Sequence, residues 1–237
     1  MQIFSFLDWL ALSIFVVSWT GYTYFANRQM KGNINLSRSL TTLRGHWMTQ
    51  MLKRETRIAD TTALGILQRT VTFFASTTIF ILAGLFAILG ASDKALKLAH
   101  ALPFVAEHSQ GAWELKILLM VLIFVYAFFK FSWSVRQYNF ALVMFGAAPE
   151  KDDKDIEDFI RCANELLTSA NNSFNYGLRA YTFSMATIAW FIHPLVFIVC
   201  NCWVVAILYR REFLSKTLSA MKSADKAINK IYQQQEL

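Results

Sequence analysis

The chain has 237 residues, of which 55% are hydrophobic, 15% aromatic and only 16% charged, and its mean hydropathy is +0.36. A soluble domain carries about a quarter charged residues, and the deficit here is concentrated in long apolar blocks, which excludes an ordinary water-soluble domain with one large core. The formal net charge of +7 sits on basic residues that flank those blocks, a placement suited to anionic lipid headgroups and accompanied by no nucleic-acid-binding signature.

Only Met1 and Gln2 precede the first apolar block, residues 3–26, and no small-residue cleavage site ends it. The block is therefore expected to be a retained anchor and not a cleaved signal. Residues 36–67 contain no proline and repeat Leu36, Leu40, Leu43, Trp47, Met51 and Ile58, an apolar stripe at helical spacing that predicts a long amphipathic helix running toward the next span. Further spans are expected over 70–91, 116–145 and 181–209, each long enough for hydrocarbon that takes about 20 apolar residues to cross. A second amphipathic helix is expected over 150–177. Pro149 and the acidic run behind it suit a helix start, and Ile156, Phe159, Ile160, Ala163, Leu166, Leu167 and Ala170 continue as a stripe. The expected fold is all-α: a single membrane domain, a bundle of about four transmembrane helices with amphipathic helices on the cytoplasmic side.

Orientation poses a conflict. Arg28, Lys31, Arg38, Arg44, Lys53, Arg54, Arg57 and Arg69 make 27–69 the richest basic stretch, which the positive-inside rule places in the cytoplasm with the N-terminus outside. Four spans then put the tail outside as well, yet it carries Arg210, Arg211, Lys216, Lys222, Lys226 and Lys230.

Several charges fall where lipid or packing makes them costly. Winding 36–67 at about 100° per residue brings Arg44, Arg54 and Glu55 into the apolar sector, while Lys53, Arg57 and Asp60 lie outside it. The third span contains Lys130 and Arg136, and Arg179 precedes the fourth. A charge in mid-membrane must face protein or water, so Arg44, Arg54, Glu55, Asp60, Lys130, Arg136 and Arg179 form a candidate buried charge network. Its sharpest expected contact is Glu55 with Lys130, Arg136 or Arg179. Such a network lines a hydrophilic path in the functional reading and locks helices together in the structural one. Asp8 reads more simply as a residue that complements a helix N-terminus at the headgroups.

Thr70, Thr77, Gly84 and Ala91 recur every seven residues in the second span, a candidate helix-packing seam or pore lining. Cys162, Cys200 and Cys202 are odd in number and suit no disulfide framework. His46, His100, His108 and His193 form no close ligand set, His100 and His108 with Glu107 being weak metal spacing, so no metal and no cofactor is expected. His193-Pro194 is expected to bend the fourth span, and Gly177 to break the helix before it.

The order of several segments resembles the domain-of-unknown-function 599 family of multi-pass membrane proteins. The carrying residues are Trp47-Met48; Arg54-Glu55 with Arg57-Ile58 and Asp60; Phe73-Phe74-Ala75-Ser76-Thr77-Thr78; Phe128-Phe129-Lys130-Phe131 with Trp133 and Arg136-Gln137; Phe174-Asn175 with Gly177-Leu178-Arg179-Ala180-Tyr181; and Arg211-Glu212-Phe213. Thr182 stands where the family pattern has an aromatic residue. The resemblance implies the membrane class, makes the Arg54, Glu55, Asp60, Lys130, Arg136 and Arg179 set look like a family feature, and brings no activity with it.

The residues favour an oligomeric channel or transporter for a small solute or ion, with anions suited to the buried basic groups. The alternative is a non-catalytic membrane scaffold or assembly factor that docks a partner through its cytoplasmic helices. Catalysis is not expected, since Glu55 and Asp60 are the only acid–base candidates. Expected partners are the lipid bilayer, further copies of the chain and a membrane or cytoplasmic protein; the expected location is the bacterial inner membrane.

Overall fold

The computed structural model describes residues 4–32, 36–100, 109–149 and 156–235. Its elements are α1 (Phe6–Gly32), α2 (Leu36–Leu52), α3 (Ile58–Gly90), α4 (Ser92–His100), α5 (Gln110–Gly146), α6 (Ile156–Ile188), a 3-10 turn (Ala189–Phe191), α7 (Pro194–Phe213) and α8 (Lys216–Gln235), with no strand among the described residues. Four stretches are long and apolar enough to cross a membrane: Phe6–Gln29, Ile58–Gly90, Gln110–Gly146 and one within Pro194–Ile231. The acidic residues just after Pro149 and the pair Glu107 and His108 lie outside the described residues.

α6 is not among these four stretches, yet it lies inside the bundle. α6 runs antiparallel to α5 along nearly its whole length. Lys116 near the start of α5 meets Trp190, Phe131 meets Phe174 and Tyr181, and Ser134 donates to the Ala170 carbonyl. α1 and α7 run parallel to each other along the bundle, matched at Phe15–Phe197, Ser18–Asn201 and Phe25–Phe213. α3 closes the other side through Phe74–Phe131 and Thr78–Tyr181. The N-terminus of α1 therefore stands at one end of the bundle. α2 and α8 stand together at the other, where His46 meets Asp225 at 3.5 Å. Because α6 runs back along α5, the basic residues of α2 and α8 stand at the same end of the bundle.

Two expected boundaries are corrected. The expected span 181–209 is two elements, because Pro194 has no N–H and its ring clashes with the carbonyl four residues earlier. That carbonyl belongs to Trp190 and accepts instead from Lys116 Nζ at 3.0 Å. Pro194 opens α7, and His193 caps it, Nδ1 accepting from the Leu195 N–H at 3.1 Å. Residues 181–188 belong to α6, which continues the expected 150–177 helix without a break. The expected helix 36–67 is likewise interrupted over 53–57. There Trp47 Nε1 donates to Asp60 Oδ1 at 2.6 Å, Arg54 pairs with the same carboxylate, and Arg57 donates to the Ala148 and Pro149 carbonyls. These tertiary bonds fold α2 back on the start of α3 in place of continuing it.

Gly177 sits inside α6 where a Cβ would overlap the Phe131 ring. Phe131 is fully buried and packed by Phe74, Phe174 and Tyr181, so the absent side chain sets the close approach of α5 and α6.

Candidate functional site

Charged side chains gather at three levels of the bundle. At the N-terminal end of α1, Asp8 accepts from the Ser5 N–H at 3.0 Å, the Ser5 hydroxyl at 2.7 Å and Trp190 Nε1 at 2.8 Å. Lys116, whose side chain is 0% exposed, lies 3.8 Å from Asp8. Its ammonium also bonds the Trp190 carbonyl and stands 5.0 Å from the Trp190 ring centroid. Every element of this cluster answers another. Asp8 thus complements the α1 N-terminus through Ser5, as expected, and is also tied to Trp190 and Lys116, so Lys116 does more than begin a span. The signal for this pairing is topological: the first and third spans begin on the same side, which puts an acid and a base at one depth.

Deeper in the bundle the surroundings change. Arg179 is 6% exposed and lies roughly 16 Å along the helix axis from the level of Trp190. Its guanidinium carbon stands 5.5 Å from the Tyr22 ring centroid and 5.7 Å from that of Tyr176. Lys130 Nζ stands 5.3 Å from the same Tyr176 ring and 5.4 Å from that of Tyr126. Among the described residues no carboxylate makes an ion pair with either cation. Glu212 and Arg211, at the end of α7, are further charges whose field reaches Tyr22. A desolvated cation–π contact supplies about 2 kcal/mol, whereas a buried ion costs several kcal/mol after relaxation. The rings alone do not balance the charge, and Glu212, whose Oε1 is buried without a hydrogen-bond partner, is a carboxylate near the same Tyr22 that Arg179 contacts.

Tyr126 is also a wall of a groove of about 510 Å³ between α1 and α5, shared with Trp19, Thr20, Thr23, Tyr24 and Asn27. Thr23 Oγ1 and Asn27 Oδ1 are buried there without a hydrogen-bond partner. Buried polar atoms are nearly always satisfied, so Thr23 Oγ1 and Asn27 Oδ1 are exceptions, the second an acceptor that lacks a donor.

The third level is the elbow between α2 and α3. Asp60, 2% exposed, holds Trp47 and Arg54 at once. Arg44 faces Tyr138 from α2; burial holds its guanidinium below the usual value, Tyr138 opposing that, and its Nη1 has no hydrogen-bond partner. Glu55 is exposed in the elbow and pairs with none of Lys130, Arg136 or Arg179 among the described residues. Arg136 lies over Phe140 at 5.5 Å, on the outside of α5. The seven candidate residues thus occupy separate levels and do not form one network. The physical reason is the break at 53–57, which turns Glu55 outward.

The stripe of Thr70, Thr77, Gly84 and Ala91 faces outward. Thr70 and Thr77 return their hydroxyls to the Ile66 and Phe73 carbonyls, Gly84 has open space around it, and Ala91 is exposed. The face of α3 that packs inward is one position on, at Leu64, Val71, Thr78 and Leu85. Among the described residues no three His, Cys, Asp or Glu side chains stand together as metal ligands.

A family model described as "Protein of unknown function, DUF599" matches residues 10–217. Comparison with curated proteins and with solved structures gives no match.

Proposed function

The chain belongs to the DUF599 family of proteins of unknown function, and from that premise we propose that it is a subunit of an oligomeric channel or transporter for a small anionic solute. The observation that carries this reading is Arg179, held at mid-bundle with Lys130 nearby and no acid paired with either among the described residues. Low-dielectric surroundings strengthen the field of such charges, and cationic linings select anions. The outward stripe of Thr70, Thr77, Gly84 and Ala91 supports association of copies, since small residues let helix backbones approach closely. In this reading the function is not enzymatic, the α2–α8 end faces the cytoplasm because it gathers the basic residues, and the membrane is the bacterial inner membrane.

The test is flux through proteoliposomes loaded with chloride, nitrate or phosphate. Anion efflux above that of protein-free vesicles, lowered in Lys130→Gln, is the expected result. Efflux equal to empty vesicles for all three anions sinks the reading.

A second reading has its own observation. α2 and α8 form a groove of about 410 Å³ lined by Leu43, His46, Trp47, Gln50, Ile228 and Ile231. Such a groove suits the apolar face of a partner helix, as a scaffold would use it. Co-purification of a stoichiometric partner that is lost in Ile228→Glu would favour scaffolding over transport.

A further inference from the structure

In the groove between α2 and α8, Leu43 and Trp47 of α2 form one wall and Ile228 and Ile231 of α8 the other, with Arg54 at its edge. Ile231 is 54% exposed. Winding α8 at about 100° per residue places Ala220, Ala224 and Ala227 on the Ile231 face. All three are exposed, so the apolar surface continues along the helix from the groove. A surface of this shape takes a second helix that seats apolar side chains at every third or fourth position. Lys216, Lys222, Lys226 and Lys230 keep α8 itself out of hydrocarbon.

The charges say which helix. Lys216 and Lys230 border the exposed face, Lys222 and Lys226 follow round the helix, and Asp225, the one acid of α8, meets His46 at 3.5 Å. Arg54 stands in an elbow with Lys53, Glu55 and Arg57, which is net basic, and Asp60 is already held by Trp47 and Arg54. Like charges apposed across an interface suppress a partner, and opposite charges steer and orient one. The α8 of a second copy brings the same lysines, and its one acid is turned to its own α2.

We propose that this groove docks a helix of a partner protein whose apolar face is flanked by Asp and Glu. Its apolar side chains fill the space between Trp47 and Ile231, and its carboxylates face Lys216, Lys230 and Arg54. The inference rests on the scaffold reading, which says only that a partner docks here, and deepens it by naming that partner's chemistry.

The experiment uses the full-length protein in an uncharged detergent and synthetic probes read by fluorescence anisotropy. The probes are a helical peptide with leucines at every third or fourth position flanked by glutamates, the same peptide with lysines in place of glutamates, and polyglutamate of equal charge. The first is expected to bind severalfold more tightly than either of the others, and more so as salt is lowered. Ile231→Lys should reduce that binding severalfold although it adds a positive charge, Ile231→Leu should keep it, and Lys216→Gln/Lys230→Gln should weaken it. Ile231 is exposed, so its substitution leaves folding intact. Arg136→Gln, on the outside of α5, should bind as the parent does. Tighter binding in Ile231→Lys, or equal binding of the leucine–glutamate peptide and polyglutamate, reduces the attraction to charge alone and overturns the inference. Preference for the lysine peptide overturns it, and so does a dimer of the chain that Ile231→Lys abolishes, which assigns the groove to a second copy. A co-purified partner that is lost in Ile228→Glu and docks through a helix without acids removes this inference and leaves scaffolding standing. Binding of the acidic peptide with no partner lost in that variant does the reverse.

Discussion

Lys116 and Arg179 are both cations buried among the same helices, and their neighbourhoods are opposite in kind. Lys116 stands at the end of the bundle with Asp8 beside it, a carbonyl freed by Pro194 in front of it and the Trp190 ring above it. Arg179 stands near the middle with two tyrosine faces and no paired acid among the described residues. The first arrangement closes upon itself and holds α1, α5 and the turn after α6 together. The second makes no ion pair among the described residues, and the transport reading rests on that difference. Burial alone does not distinguish the two cations; an ion pair with a carboxylate does.

Breaking the closed cluster carries the largest expected effect. Asp8→Ala leaves the Lys116 ammonium buried beside an unanswered Trp190 Nε1, and removing one member of a buried pair costs about 3 kcal/mol or more. Reversible unfolding in detergent should show that loss, and Asp8→Ala/Lys116→Met should recover a large part of it, because both ions are gone. If Asp8→Ala were no less stable than Arg136→Gln, the cluster would not be a latch.

A smaller loss tests the helix pair that carries Arg179. Gly177→Ala forces a methyl group against the Phe131 ring, which is held by Phe74, Phe174 and Tyr181. Overpacking of this kind costs about 1–3 kcal/mol, read by the same unfolding measurement. Gly177→Ala/Phe131→Leu should restore stability if the ring is the obstacle, and should not if the glycine matters for another reason.

The difference between the two regions also explains what can be read from residues alone. α1, α3, α5 and α7 are legible because lipid-facing helices must be apolar. α6 is only half legible, because its polar residues are spent inside the protein: the Gln137 side chain bonds Ser169 and Ser173 at 2.6 and 3.0 Å, and Ser134 bonds the Ala170 carbonyl. A helix buried on so many sides need not look like a membrane helix. The elbow at 53–57 is not legible, since the apolar stripe continues in phase through it and tertiary contacts end the helix, those of Asp60 with Trp47 and Arg54 and of Arg57 with the Ala148 and Pro149 carbonyls. Of the candidate site, Lys130 and Arg179 stand out as charges in apolar surroundings; Thr23 and Asn27 do not, because an unpaired hydroxyl or amide is visible only once its neighbours are known.

The smallest expected change in stability belongs to the open cluster. Arg179→Met replaces a guanidinium that has no paired acid with a flexible apolar side chain of similar reach. No carboxylate is stranded by the change, and the cost of holding a buried ion is removed, so stability should stay within about 1 kcal/mol of the parent or rise. Anion flux should fall in the same protein, which separates the two roles within one variant. A loss as large as that of Asp8→Ala would mean that Arg179 has an internal partner after all, and the two regions would then differ in depth and not in kind.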